Sequence, residues 1–256
     1  MIITSKDNPL IKTAHALLTD HRSRKKLGQT VIEGVHLLDA YLNAGKLPIS
    51  VIVSESGLSH HEIQTLIQRL DKHPIIISDG LYKSIRTLGT SLPIMAIIEM
   101  PSLVLNQNIN KDCLIINGIQ DTGNLGTLFR TASATGFDTI ICTKGTAHAY
   151  NPKTLRASMG ANFSLTIYEN VGIDEIFEFV KVPMFATTSH ADGLIYHKDL
   201  TKPLALIMGH EGQGVDKELL NNCTPLTLPQ DGEESLNVGV AGSVCLYEIL
   251  RQRRYQ

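Results

Sequence analysis

The stretch Cys113-Leu-Ile-Ile-Asn117, followed directly by Gly118-Ile-Gln-Asp-Thr-Gly-Asn124, decides the fold class. An uninterrupted apolar run of this length is typical of a strand that is buried on both faces of a parallel sheet. The runs Thr139–Cys142, Pro183–Thr187 and Leu204–Met208 have the same character and alternate with helical patterns. The sequence therefore predicts an α/β domain with a mostly parallel sheet.

A second, smaller unit is predicted before this domain. Within residues 1–100, helical periods such as Asn8–Asp20 and Val35–Ala44 alternate with short strand signals, which favours a small αβα sandwich. Residues 101–112 contain several Asn and Gln residues and keep no sustained period. We predict a linker there and place the larger domain at residues 113–256.

Composition narrows the class of protein. The chain has 256 residues, 43% of them hydrophobic, and no stretch approaches the ~18 continuous apolar residues of a membrane span. Its N-terminus lacks the apolar block of a signal peptide. Four cysteines lie in or near apolar runs without a C-x-x-C pair, which predicts buried thiols rather than disulfides or a metal site. We expect a cytoplasmic protein without membrane association or bound metal.

Charge is informative only locally. The formal net charge is −2, but basic residues cluster near the N-terminus, at Lys6, Lys12, Arg22, Arg24, Lys25 and Lys26. A basic cluster on a near-neutral protein is typical of a phosphate-binding surface. A solvated helix face explains the same pattern equally well.

Ligands of open parallel sheets bind beyond the carboxyl ends of the strands, so the loops there are the first places to search for a site. In the first loop, Gly123 and Gly126 permit a tight turn and Asn124 is a candidate helix cap. Arg130 follows on the helix, off its apolar face. An arginine there can grip a phosphate through two parallel hydrogen bonds, although a surface ion pair is the simpler explanation.

The second loop is Gly209-His-Glu-Gly-Gln-Gly214. Its three glycines let a ligand lie against the backbone, yet the spacing matches neither the dinucleotide fingerprint nor the P-loop. Glu211 is either a functional carboxylate or a charge that favours a helix N-terminus.

The third segment runs from Leu226 into a helix whose first turns are rich in small residues. Ser235 and Asn237 precede this helix. They are either functional side chains or helix caps only.

In this order, the three segments resemble the SpoU (TrmH-type) branch of the SPOUT RNA methyltransferases. The matching blocks are Asp121–Gly126 with Arg130-Thr-Ala132, Gly209–Gly214, and Leu228–Gly232 followed by Ser235-Leu-Asn-Val238. Arg156–Gly160 matches a segment between the first two blocks. Two positions depart from the family pattern, since Thr122 stands where Pro is usual and His210 where Asn is frequent. The resemblance covers residues ~113–254.

The N-terminal unit carries a weaker resemblance. Ser5-Lys-Asp-Asn-Pro9 and Glu33-Gly34 are similar to an RNA-binding domain, of L30e/L7Ae ribosomal-protein-like fold, that often accompanies this family. The resemblance implies that residues 1–100 bind the RNA substrate, with the basic cluster as the contact surface.

Further properties follow only from the resemblance. It implies a deep trefoil knot in the catalytic domain and a homodimer whose active site is completed across the interface. S-adenosylmethionine would be held in the knot around Thr187, Gly209, Leu228, Leu236 and Asn237. Arg130 would act with Asn124, Glu211, Ser235 and Asn237 on a ribose 2′-hydroxyl.

The role of Arg130 is constrained by its chemistry. Because the pKa of an arginine side chain lies above ~12, a neutral guanidine that acts as a base is costly. We therefore favour Arg130 as a phosphate clamp and electrostatic activator of the hydroxyl.

The RNA itself is not specified by the residues. Only the resemblance to the family implies that a chain with this extra N-terminal domain modifies 23S or other large-subunit ribosomal RNA rather than transfer RNA. An RNA-binding protein without catalysis, and a methyltransferase acting on a base or on a small molecule, are the alternatives. Whether the chain confers resistance to ribosome-directed antibiotics is left open.

Overall fold

The chain divides into two units in the computed structural model, which describes residues 2–89, 92–188, 193–232 and 236–255. Unit 1 consists of Met1–Pro101 and Tyr150–Phe163, and unit 2 consists of Ser102–Ala149 and Ser164–Gln256.

Unit 1 is an α/β unit with a small mixed sheet. Its strands are β1 (Gln29–Glu33), β2 (Ser50–Ser54), β3 (Ile75–Ile77) and β4 (Ile94–Glu99). The helices before residue 101 are α1 (Pro9–Thr19), α2 (His21–Leu27), α3 (Val35–Asn43), α4 (His61–Ile67) and α5 (Asp79–Ile85). The strand order is β1-β4-β2-β3, and β2 and β3 form the parallel pair. Apolar side chains of α1 and α5 pack with those of the sheet in one core.

Unit 2 contains the larger sheet. Its strands are β5 (Cys113–Asn117), β6 (Thr139–Thr143), β7 (Thr166–Val171), β8 (Met184–Thr187), β9 (Ala205–Gly209) and β10 (Thr224–Leu226). They lie in the order β10-β8-β9-β5-β6-β7, and every pair is parallel. The helices that follow β5 in the chain are α6 (Thr122–Thr135), α7 (Pro152–Ala157, part of unit 1), α8 (Ile173–Phe179), α9 (Lys217–Asn221) and α10 (Val238–Arg254).

Helices cover both faces of the parallel sheet. On one face, Ile115, Ile141 and Ile207 pack with Ile176 of α8 and Leu219 of α9. On the other face α6 packs against α10, with the side chains of Leu128 and Met208 directly against Gly242. A side chain at position 242 would overlap Leu128, so the small residues at the start of α10 serve this close packing.

The predicted fold class is confirmed. The chain is α/β, with a parallel sheet in the larger part and a smaller N-terminal unit. The strand predicted at Cys113–Asn117 has those same bounds in the structure. Passage of the chain through a knot stays a prediction.

The segment predicted as a linker is tied to unit 2. Residues 101–112 form no helix or extended strand, but Leu105 and Ile109 are buried in the core of unit 2, and Ile109 pairs with Val180. Asp112 accepts two hydrogen bonds from the guanidinium of Arg253, at 2.6 and 2.9 Å. This ion pair fastens the end of α10 to the start of the sheet.

The cysteines are free thiols. Cys113, Cys142 and Cys245 are buried, and Cys223 is half-buried. Burial raises the pKa of Cys113 and of Cys245 to about 12, so these thiols are neutral and unreactive at physiological pH. None of the helices within the described ranges combines the length and apolar composition needed to cross a bilayer.

Candidate functional site

A pocket in unit 2 is lined by the second and third of the glycine-containing segments and by the end of β8. Its volume is about 220 Å³. Strands β8, β9 and β10 each contribute residues from their carboxyl ends, where an open parallel sheet binds its ligands.

The first loop positions Asn124 at the start of α6. Asp121 caps this helix, because its Oδ1 accepts a hydrogen bond from the Asn124 backbone N–H at 2.7 Å. The predicted cap at Asn124 is therefore wrong: Asp121 takes that role and leaves the Asn124 side chain free for other partners. The apolar residues Leu125, Leu128, Phe129 and Ala132 are buried, so their face anchors the helix.

Glu211, in the second loop, binds the first loop. Its carboxylate accepts hydrogen bonds from Asn124 Nδ2 at 3.1 Å, from the Asp121 N–H at 3.3 Å and from the Gln120 N–H at 3.4 Å. Partial burial pushes the pKa of Glu211 upward, but these bonds and one from its own backbone outweigh burial and lower the pKa below its ordinary value. Glu211 is therefore ionised at neutral pH.

Asn237 joins the third segment to the same group. Its Oδ1 caps α10 by accepting from the N–H groups of Gly239 and Val240, at 2.9 and 3.2 Å. Its Nδ2 donates to Asn124 Oδ1 at 3.0 Å. Asn237 is thus a helix cap that also contacts the first loop, and its functional role stays a prediction.

All five residues predicted to hold a cofactor line the pocket, namely Thr187, Gly209, Leu228, Leu236 and Asn237. Glu211 lines it as well. Ser235 lies outside the described residues, so the structure gives it no position.

Sequence reasoning missed other lining residues. Met208, Val238 and Ala241 supply apolar wall, and His210 and Gln230 supply polar wall. For most of them, the only available signal in the sequence was that they neighbour a predicted site residue. An aliphatic residue in a strand or helix is otherwise predicted to lie in the hydrophobic core.

Arg130 is not brought into the pocket. It lies six residues after Asn124 in α6 with an exposed side chain. Among the described residues, none forms a hydrogen bond or ion pair with its guanidinium. Arg130 is thus available to an external partner.

The predicted RNA-binding residues lie in unit 1. Lys6, Lys12, Arg22, Lys25 and Lys26 are exposed, and Lys12 pairs with Asp7 at 2.7 Å.

Arg24 differs from this group. It is 7% exposed, and its guanidinium donates to the carbonyl groups of Leu17 and Leu18 at the end of α1. Arg24 therefore holds α1 and α2 together and does not present its charge to RNA.

Comparison with known sequences gives matches along the whole chain. The model of the SpoU rRNA methylase family matches residues 112–247. The 23S rRNA (guanosine(2553)-2′-O)-methyltransferase RlmP of Bacillus subtilis is 33% identical in an alignment that covers 96% of this chain and 98% of that protein. The 23S rRNA (guanosine-2′-O-)-methyltransferase RlmB of Bordetella pertussis is 29% identical, over 88% of this chain and 98% of that protein.

Solved structures agree in fold. A crystal structure of an RNA 2′-O ribose methyltransferase has a TM-score of 0.83 at 30% identity and covers 99% of both chains. The SpoU methyltransferase AviRb from Streptomyces viridochromogenes, solved with its cofactor AdoMet, has a TM-score of 0.89 and covers 97% of this chain and 99% of its own. At 24% identity, the second likeness shows the fold alone.

The glycines of the second loop give the first test. In Gly209→Ala the new Cβ would overlap the backbone of Gly214 and Val215, so we expect the free energy of unfolding to fall by about 1–3 kcal/mol. In the control Gly212→Ala, the nearest atoms belong to the His210 ring at 3.8 Å, an ordinary contact. Urea denaturation of both variants measures the difference, and equal losses would contradict the close packing described here.

Proposed function

We propose a function from one premise: the chain belongs to the SpoU rRNA methylase family, whose model matches more than half of its residues. The prediction of an RNA methyltransferase is thereby confirmed. We propose that the chain transfers a methyl group from S-adenosylmethionine to a ribose 2′-hydroxyl of 23S rRNA, with a guanosine as the modified nucleotide. The names of its relatives from Bacillus subtilis and Bordetella pertussis support the rRNA, the guanosine and the 2′-hydroxyl. With such a substrate, we propose that the chain acts in the cytoplasm.

The pocket carries the proposal for the methyl donor. S-adenosylmethionine combines a flat adenine ring with a ribose and a charged amino-acid end. Met208, Leu228 and Leu236 offer apolar wall for the ring, while Thr187 and Asn237 offer polar atoms. Gly209 and Gly214 have no side chains, so the ligand can lie directly against the backbone of the pocket wall. When bound, the donor supplies an activated methyl group.

The main requirement of this reaction is that the protein aligns the ribose hydroxyl with the methyl group. A ribose hydroxyl is a weak nucleophile, so the chain must hold it in line with the methyl group and let its proton leave late. The Glu211 carboxylate is already saturated by donors from the first loop and is ionised. We therefore place Glu211, with Asn124 and Asn237, in a positioning role rather than as the proton acceptor. Ser235 is also proposed as an active-site residue, and only the resemblance to the family supports that role.

Arg130 supports an RNA-facing role. Its side chain is exposed, charged and without a partner among the described residues, which suits a planar grip on an RNA phosphate beside the reacting ribose. Since Arg130 does not line the pocket of its own chain, a second copy is a natural source of the arginine for each pocket.

An exposed apolar surface on α10 supports a homodimer. Val240, Val244 and Tyr247 are spaced by four and three residues and are 47%, 38% and 55% exposed, and Leu236 just before the helix is 42% exposed. Exposed apolar residues that lie next to one another on a helix are typical of an interaction surface. We propose that two copies of the chain pair through it.

Unit 1 would bind the body of the RNA. Its proposed phosphate contacts are Lys6, Lys12, Arg22, Lys25 and Lys26. Arg24 is not among them because its side chain is buried. The likeness of unit 1 to L30e/L7Ae proteins remains a prediction.

Methyl transfer to ribosomal RNA tests the proposed function. We expect the chain to transfer tritiated methyl from S-adenosylmethionine to 23S rRNA from a strain that lacks its gene, and mass spectrometry of nuclease digests to find 2′-O-methylguanosine. Label in transfer RNA, on a base, or in no RNA would contradict the proposal.

The same assay tests Arg130. Lysine keeps the charge but loses the planar fork, so we expect Arg130→Lys to lower kcat about 10²–10³-fold while the affinity for S-adenosylmethionine stays unchanged. Arg254→Lys, at an exposed position late in α10, is the matched control and should keep full turnover. Near-full turnover of Arg130→Lys would exclude a specific guanidinium role.

The association of two copies is tested by sedimentation velocity. We expect the native chain to sediment as a dimer and the double variant Val240→Glu, Val244→Glu as a monomer, because two carboxylates in an apolar interface are costly to desolvate. Val104→Glu changes a valine that is 70% exposed elsewhere in unit 2 and should stay dimeric. A double variant that remains dimeric would rule out this surface.

A further inference from the structure

The loop after β9 is closed by its own backbone. His210 N–H donates to the Gly214 carbonyl at 3.0 Å, and Gly214 N–H donates back to the His210 carbonyl at 2.9 Å. Gly214 has φ +71°, a conformation that favours glycine. Residues 211–213 therefore form the tip of a tight loop, and Glu211 is carried on that tip.

The His210 side chain holds this tip from within. Its Nδ1 accepts hydrogen bonds from the N–H groups of Gly212 and Gln213, at 2.9 and 3.2 Å. Asn237 Oδ1 makes the same pair of contacts, to the second and third residues after it, at the same distances of 2.9 and 3.2 Å. The ring nitrogen of His210 thus accepts the same two backbone hydrogen bonds that the amide oxygen of an asparagine helix cap accepts.

The two acceptors differ in one respect. An imidazole nitrogen accepts a hydrogen bond only while it carries no proton, whereas an amide oxygen always accepts. A proton on Nδ1 would turn the acceptor into a third donor that faces two N–H groups. The tip would then lose both of its side-chain hydrogen bonds.

The loop and its tip line the pocket. Gly209, His210 and Gly214 do so from the base of the loop, and Glu211 does so from the tip. Glu211 also binds Asn124 and the backbone of the first loop, so a change in the tip reaches the other two segments.

We propose that His210 is a positioning residue for the cofactor pocket, and that it performs this role only while its imidazole is neutral with Nδ1 free of a proton. The proposal rests on the function proposed above, because it takes S-adenosylmethionine as the ligand of the pocket. Affinity for the cofactor is full while Nδ1 accepts the two N–H groups and is reduced when a proton occupies Nδ1.

Other charged groups near the pocket do not produce the same dependence of cofactor affinity on pH. The carboxylates of Glu211, on the loop, and of Asp121, at the start of α6, belong to the segments that meet here. His210 and Glu211 are the titratable side chains among the described residues that line the pocket. Since its hydrogen bonds keep the pKa of Glu211 below the ordinary value, Glu211 stays ionised throughout the range in which histidine titrates.

Calorimetric titration of the full chain with S-adenosylmethionine at about pH 8 and about pH 5.5 tests the proposal. The native chain should lose affinity at least about tenfold at the lower pH, since two hydrogen bonds are lost. His210→Asn keeps an acceptor at the same position without a titrating proton, and its affinity should change less than about threefold. His210→Leu should bind weakly at both pH values.

The control for these variants is His73→Asn, which changes an exposed histidine of unit 1 and should follow the native pH dependence. Equal losses of affinity in the native chain and in His210→Asn would overturn the proposal. Native affinity of His210→Leu at about pH 8 would overturn it as well.

A second measurement needs no cofactor. Long-range ¹H–¹⁵N correlation spectra of the full chain should show His210 Nδ1 unprotonated at about pH 8, and the amide signals of Gly212 and Gln213 should move when the ring titrates. A proton on Nδ1, or amides that do not respond, would overturn the role of His210. Absence of S-adenosylmethionine binding at the higher pH would instead overturn the proposed function, so the two failures are distinguishable.

Discussion

The side-chain amide of Asn124 is the contact on which the site depends. Its nitrogen donates to Glu211, 87 positions away in the sequence, and its oxygen accepts from Asn237, 113 positions away. One residue therefore ties three loops together at the carboxyl edge of the parallel sheet. Because the sheet brings those loops to one edge, two hydrogen bonds of ordinary length are enough to join them.

Close backbone approach is the structural condition for this contact. A Cβ at Gly239 would lie 3.3 Å from Asn124 Oδ1 and 3.4 Å from Asn124 Cα, so a side chain there would require the Asn124 amide to shift. Gly209 is similarly constrained by the backbone of Gly214 and Val215. Gly209 and Gly239 thus serve close packing within and between the loops, and the exposed backbone around the pocket is a consequence of that packing.

Parts of this arrangement could be predicted from the sequence and others could not, for physical reasons. The central strand Cys113–Asn117 was predictable because burial on both faces makes its apolar run continuous. The edge strand β7 (Thr166–Val171) was missed because it includes polar Glu169 and Asn170. The pocket residues could be predicted because they belong to motifs that occur in a fixed order along the chain. The capping role of Asp121, the burial of Arg24 and the Nδ1 contacts of His210 depend on side-chain directions that spacing does not encode.

If Asn124 couples the second loop to the third segment, a double-mutant cycle on S-adenosylmethionine affinity will detect the coupling. Asn124→Ala removes the shared amide, and Asn237→Ser keeps a cap for α10 but is too short to reach Asn124. We expect the double variant to bind no more weakly than the worse single variant, which corresponds to a coupling energy of about 1 kcal/mol or more. Losses that add within about 0.3 kcal/mol would show that the two residues act independently and would rule out the coupling.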